Sequence, residues 1–351
     1  MKNESFKEFL KRKGINFTVQ TYFIDALGAM AFGLFASLLI GTIFATLGEK
    51  SGIEIFNTIA EYAKGATGAA LGVSIAYALK APQLVLFSAA TVGIAGNALG
   101  GPVGALIATI ISTELGKMIS KETRVDILAT PAVTIISGVL AAQFVGPGVS
   151  AFMTAFGNLV KTATVMQPLF MGILVSALIG IALTLPISSA AICIMLSLDG
   201  IAGGAATAGC CAQMVGFACL SFRENGWGGL LAQGLGTSML QMGNIVKNPR
   251  IWIAPTLVSA ITGPLATCLF HFEMNGAAVS SGMGTCGLVG QIGVYTGWVN
   301  DIAAGTKAAI TPMDWAAMVL ICFVLPAVLS VLFCEIERKL GWIKEGDLKL
   351  N

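Results

Sequence analysis

The sequence predicts an all-α, polytopic membrane protein of about ten transmembrane helices, with broken or re-entrant segments and an internal repeat. Three observations lead there. Charged residues make up 11% of the 351 positions and hydrophobic ones 56%, whereas soluble domains run near a quarter charged. Leu27–Leu47 and Trp315–Cys334 carry no charge, and Asp199 is the one charge between Lys161 and Arg223. Runs of roughly 20 apolar residues cross a bilayer as helices. The 43 glycines interrupt several such runs, a pattern of broken helices and close packing.

Taken in order, residues 1–20 form a cytoplasmic amphipathic segment, 21–335 the membrane domain and 336–351 a cytoplasmic tail. Glu4–Lys13 reads as a short amphipathic helix. Lys2, Lys7, Lys11, Arg12 and Lys13 of the N-terminus, with Glu4 and Glu8 interspersed, stand before the first span and place this end in the cytoplasm. A full-length span follows, so no cleaved signal peptide is expected. Span one covers Tyr22–Leu47 and span two Ile53–Leu79. Pro82–Gly96 and Pro102–Gly116 are short and glycine-interrupted. After the basic loop Lys117–Arg124 comes a span at Ile127–Val145, which Gly146-Pro147-Gly148 should break, leaving Ser150–Thr164 as an interfacial helix.

Met166–Leu185 spans again and Pro186 stops it. Ala190–Leu198 is too short to cross, and Gly200–Phe222 is long enough but glycine-rich. Trp227–Val246, Ile251–Phe270 and Trp315–Cys334 complete the spans. The basic C-terminal tail implies an even number of crossings. Half-repeats fall near 64–145 and 168–290: Gly68 and Pro82 are matched by Gly172 and Pro186, and Gly93–Asn97 by Gly200–Gly204. Basic loops at equivalent places favour parallel halves.

The net charge of +2, with basic residues at membrane edges, gives no nucleic-acid surface. Eight cysteines and one histidine form no convergent ligand set, so no metal and no cofactor is expected and the thiols read as small apolar fillers. Phosphate loops, zinc-protease helices and hydrolase elbows are absent.

Glu273 is the one charged side chain from Ile251 to Asn300, beside His271, the chain's single histidine. A carboxylate at membrane depth normally faces a polar cavity. Asn275–Gly290, rich in glycine and hydroxyls, should fold as a re-entrant hairpin that offers amides and Ser281 to a hydroxyl-rich solute. The competing reading makes its glycines packing contacts and leaves Glu273 at a helix interface. Asp199 is either a second polar group of the cavity or a helix cap, and Asn97 sits in a glycine-rich break. Gln213, Gln233, Gln241 and Asn244 read chiefly as interhelical hydrogen-bonding groups. Candidate substrate-binding residues are therefore Glu273, His271, Asn275, Ser281, Asp199 and Asn97, and no residue reads as catalytic.

Ala78–Val85 (ALKAPQLV), Leu185–Ala191 (LPISSAA), Gly203–Met214 (GGAATAGCCAQM), Ser221–Asn225 (SFREN) and the stretch from Gly263 to Gly290 resemble the enzyme-IIC-like membrane proteins of the phosphotransferase system. The branch is the one also labelled toxin-regulator-like or perfringolysin-regulator-like, and the resemblance covers about 20–335. It implies a permease of the bacterial cytoplasmic membrane that binds a sugar or polyol, works as a homodimer among membrane lipid, and meets separate IIB and IIA phosphocarriers. By the same resemblance a glutamate in a re-entrant segment, helped by a histidine, holds sugar hydroxyls, for which Glu273 and His271 are the matching candidates. The tails are too short for a fused IIA or IIB domain. A membrane-embedded solute sensor acting through a cytoplasmic partner is the alternative.

Overall fold

The computed structural model describes residues 5–164 and 166–350; Glu4 of the expected N-terminal helix, and Lys2 before it, lie outside them. The described chain is helical, with one isolated antiparallel bridge, Gly200 to Met274. Among the described residues six helices are long and apolar enough to cross a membrane: Gln20–Gly48, Gln83–Ile119, Asp126–Thr164, Gly200–Leu220, Pro249–Leu269 and Pro312–Lys339. Thr67–Ala78 and Pro168–Thr184 are shorter apolar helices. The chain divides into two units, Met1–Phe152 and Met153–Asn351.

In the first unit, α1 (Phe6–Arg12) opens with a capping box between Ser5 and Glu8, which satisfies amide donors that a helix start leaves unpaired. Arg12 and Lys13 pair with Glu122 at 2.8 and 2.6 Å, and the hydrogen bonds from Lys13 and then Arg12 hold that carboxyl below the usual carboxylate range. Helix α2 (Gln20–Gly48) is the first span. The single span expected over Ile53–Leu79 is instead two helices, α3 (Glu54–Gly65) and α4 (Thr67–Ala78). Their polarity differs: α3 exposes Glu54, Glu61 and Ile55, whereas α4 buries Gly68, Leu71, Gly72 and Ile75.

The two segments expected around Gly96 and Pro102 form one hairpin, α5 (Gln83–Ile119), whose arms 83–99 and 102–119 meet at Gly100-Gly101. Gly101 takes φ +60°, ψ −159°, backbone that an L side chain resists. A methyl on Gly96 would lie 2.7 Å from Ala105 Cα and one on Gly116 2.9 Å from Val85, so the arms touch at tip and base. Lys117, 2% exposed, ties this unit together: its Nζ donates to the carbonyls of Leu79 (2.9 Å) and Gly14 (3.3 Å) and pairs with Glu114 at 3.0 Å.

Helix α6 (Asp126–Thr164) overturns the break expected at Gly146-Pro147-Gly148, since it runs through all three residues. Proline removes one hydrogen bond but its φ is already helical. Packing supplies the rest, because Gly146 lies against Leu99 at the hairpin tip. Ser150–Thr164 is thus the last part of a long helix and not a separate interfacial one.

The second unit is built around α9 (Gly200–Leu220), of which nearly every residue from Gly203 to Leu220 is buried. Helices α7 (Pro168–Thr184) and α12 (Pro249–Leu269) approach it and each other through small residues. A methyl on Gly209 would fall 1.9 Å from Ser176 O, and one on Gly263 2.0 Å from Gly172 O. Without side chains between them, the backbones exchange hydroxyl bonds, Ser176 Oγ to Ser259 O at 2.6 Å and Ser259 Oγ to Gly209 O at 3.2 Å. Helix α8 (Ser189–Met195) is short, as the sequence requires.

A continuous span at Trp227–Val246 does not form. Helix α10 (Phe222–Leu231) kinks at Gly226, Thr237 is extended, and α11 (Met242–Lys247) is short. Freed backbone at that depth needs polar partners. Gln233, Gln241 and Asn244 form a buried amide chain: Gln241 donates to Gln233 and Asn244 to Gln241, at 2.9 and 2.8 Å. The tail is clamped by two of these side chains, Gln241 and Asn244, together with Asn225. Gln241 and Asn225 both donate to Leu348 O, and Asn225 accepts from Leu350 N.

Asn248 donates to Trp342 O and Asp347 Oδ2, both at 2.9 Å. The start of α12 and the end of α15 (Pro312–Lys339) therefore share one face of this unit, and their other ends, Leu269 and Pro312, share the opposite one. The matched repeat landmarks take different places: Gly93–Asn97 lies within an arm of α5, whereas Gly200–Gly204 opens α9.

Candidate functional site

At the far end of α12 the chain leaves the helix through His271, whose φ is +44°; histidine enters this region more readily than most side chains. The next residues run extended, and Met274 pairs with Gly200 through N–H to O bonds of 3.1 and 3.0 Å. Alternation follows from extended backbone. Phe272 and Met274, 3% and 0% exposed, enter the apolar cluster with Val294, Trp298, Met318 and Ile321. Glu273 and Asn275 are only half-buried.

Glycines let this strand lie flat on its neighbours. A methyl on Gly204 would meet Phe272 O at 1.7 Å, and one on Gly297 would meet Asn275 N at 2.8 Å. One turn beyond Gly297, α14 (Val289–Ala303) presents Asp301. The Asn275 amide nitrogen donates to Glu273 Oε2 at 3.0 Å and to Asp301 Oδ2 at 2.8 Å. One amide thus holds two carboxylates.

The turn after α14 carries Thr306 and Lys307, whose N–H groups donate to Asp301 O. Lys307 Nζ reaches Asp314 Oδ1 at 2.9 Å and stands 6.0 Å from the centre of the Trp298 ring. Asp314 is fixed in turn by a capping box with Thr311, which opens α15. Trp298 stacks edge-on against Trp315. Together these groups enclose a cavity of about 410 Å³ lined by His271, Glu273, Asn275, Asp301, Lys307 and Asp314, with Phe270, Phe272 and Trp298 as its apolar wall.

Of the residues singled out in sequence, Glu273, His271 and Asn275 line this cavity. The partner of Glu273 is Asn275, while His271 is exposed. Ser281 is fully buried and donates to Leu198 O at 2.6 Å, outside the lining. It belongs to a seam in which Ser189 donates to Gly282 O and Thr285 to Gly234 O. Around it the segment expected as a hairpin forms the short helix α13 (Ala278–Ser281) and a further single turn. Asp199 precedes α9, exposed and without a side-chain capping bond. Asn97 belongs to the first unit, three residues before the α5 tip.

Sequence reasoning passed over Asp301, Lys307, Asp314 and Trp298. A signal was present: those three charges are the only ones between Glu273 and Glu335.

A family model described as "Phosphotransferase system, EIIC" matches residues 24–350. The chain belongs to this family, a family of membrane-embedded permease components for sugars, and it is a multi-pass membrane protein. No curated protein and no solved structure matches it.

Proposed function

We propose that this EIIC-family protein binds a small hydroxylated solute, a sugar or polyol, in the cavity between α12, α14 and α15 and carries it across the membrane by alternating access. The observation that carries the reading is the paired carboxylates of Glu273 and Asp301, spanned by Asn275 beside the Trp298 ring. Carboxylate and amide oxygens accept hydrogen bonds from sugar hydroxyls, and aromatic faces cover the apolar side of a pyranose. His271 stands at the exposed edge, where it can donate or accept. Ser281 acts in this scheme through the seam beneath the site, not by touching solute.

Orientation follows from the face shared by Asn248 and the tail. Lys247, Arg250, Arg338, Lys339, Lys344 and Lys349 cluster in sequence around that face, and positive charge marks the cytoplasmic side. The cavity lies at the opposite ends of α12 and α15, so it opens away from the cytoplasm and receives solute from outside. Separate IIB and IIA chains would phosphorylate the solute on its release inward, and a homodimer of this chain is the expected assembly.

A thermal-shift series on the purified full-length protein with sugars and polyols tests this. A ligand at 100 times its Kd should stabilise the native state by about 2.7 kcal/mol, and Glu273→Gln should remove the shift while the unliganded protein stays folded. Proteoliposome uptake of the responding solute completes the test. If no sugar or polyol moves the melting temperature, or if Glu273→Gln responds like the unsubstituted protein, the proposal is wrong.

A further inference from the structure

The polar groups of this cavity are unequally supplied with donors and with charge. Asn275 has its amide nitrogen engaged by both Glu273 and Asp301, so the group it can offer a ligand is the oxygen. Both carboxylates are acceptors only. Their oxygens, held by the same nitrogen, cannot stand more than about 6 Å apart. Lys307 is the one lysine or arginine of the lining. It is already paired with Asp314 and placed over the Trp298 ring. Three carboxylates therefore face one ammonium in the lining, and that ammonium offsets Asp314. What remains in a lining shared with Trp298, Phe270 and Phe272 is a carboxylate pair with no lysine or arginine of its own, His271 standing exposed at the edge.

A neutral sugar would donate hydroxyl hydrogens to this pair and leave its charge uncompensated. A sugar acid would add a further negative charge. A protonated amine brings further donors and the positive charge that the pair lacks, and ammonium groups also gain from nearby aromatic faces. We propose that the solute is cationic, a protonated amine on a hydroxylated skeleton such as an amino sugar, with the ammonium seated between Glu273 and Asp301. This deepens the sugar-or-polyol reading and rests on it.

The experiment compares matched pairs on the purified full-length protein by titration calorimetry. The probes are D-glucosamine with D-glucose, D-galactosamine with D-galactose and D-mannosamine with D-mannose, together with the N-acetylated amines and D-gluconate. The responding amine should bind at least tenfold tighter than its neutral counterpart. Acetylation, which removes the charge and keeps the skeleton, should abolish that advantage, and gluconate should not bind. The advantage should shrink as salt is raised from 0.05 to 0.5 M, because screening acts on the charge and not on the hydroxyls. Asp301→Asn should reduce the amine-to-neutral ratio to threefold or less. Asp301→Ser gives the same readout should Asp301→Asn fail to fold.

Equal affinity for amine and neutral sugar, or an advantage that survives acetylation, would overturn the cationic assignment and leave the sugar reading in place. Binding by none of the probes would remove both.

Discussion

Replacing Asn275 by alanine tests the electrostatic construction of the site. The side chain donates to two carboxylates at 3.0 and 2.8 Å. Its removal leaves like charges no more than about 6 Å apart with nothing between them. Their repulsion is roughly 3 kcal/mol at an effective dielectric of 20 and under 1 kcal/mol in bulk water. Both residues border an open cavity, so a value of about 1–3 kcal/mol applies, and the carboxylates swing apart to relieve it. Ligand binding must then supply that free energy to reassemble the pair, a loss of about 5- to 150-fold in affinity. Asn275→Asp, which sets a third carboxylate between the first two, should be worse than Asn275→Ala. Calorimetric titration with the solute found to bind reads both variants, and far-UV circular dichroism confirms that each is folded. Affinity within twofold of the unsubstituted protein, or Asn275→Ala weaker than Asn275→Asp, would refute the reasoning.

Two further substitutions probe the frame. Gly204→Ala places a methyl 1.7 Å from Phe272 O, and backbone cannot yield as a flexible side chain would. Overpacking costs typically about 1–3 kcal/mol, so the melting temperature should fall and solute binding weaken together, whereas Gly148→Ala, with open space around it inside α6, should be neutral or stabilising by up to about 1 kcal/mol. Asn225→Ala removes the bonds to Leu348 O and Leu350 N, worth about 1–3 kcal/mol together; limited trypsin digestion should then cut at Lys344 and Lys349 before any site in the membrane domain, and an unchanged digestion pattern would show that the clamp does not hold the tail.

Much of the fold was legible because lipid imposes a rule that composition alone can satisfy. The spans expected at Ile251–Phe270 and Trp315–Cys334 coincide with helices Pro249–Leu269 and Pro312–Lys339 apart from shifts of a few residues at their ends. Glu273, His271 and Asn275, which line the candidate cavity, stood out in the sequence for the same reason, as polar groups stranded beside an apolar run. The failures have a different cause. Trp227–Val246 has the composition of a span, but its backbone turns extended at Thr237, Thr285 meets the carbonyl of Gly234, and buried Gln233, Gln241 and Asn244 bond one another while Gln241 and Asn244 also hold the C-terminal tail. Pro147 carries the local signal of a break, yet the contact of Gly146 with Leu99 keeps its helix whole.

From the amino-acid order alone came the solvent this chain folds in, the positions of its clearest spans and one end of its candidate site, since each depends on a short stretch meeting oil or water. The other end of the site came only with folding. Asp301 lies 26 residues beyond Asn275, and no periodicity links them. They meet because Gly204 and Gly297 have no side chains to hold the Phe272–Asn275 strand away from α9 and α14, and such approaches become visible only when the backbones are already in contact.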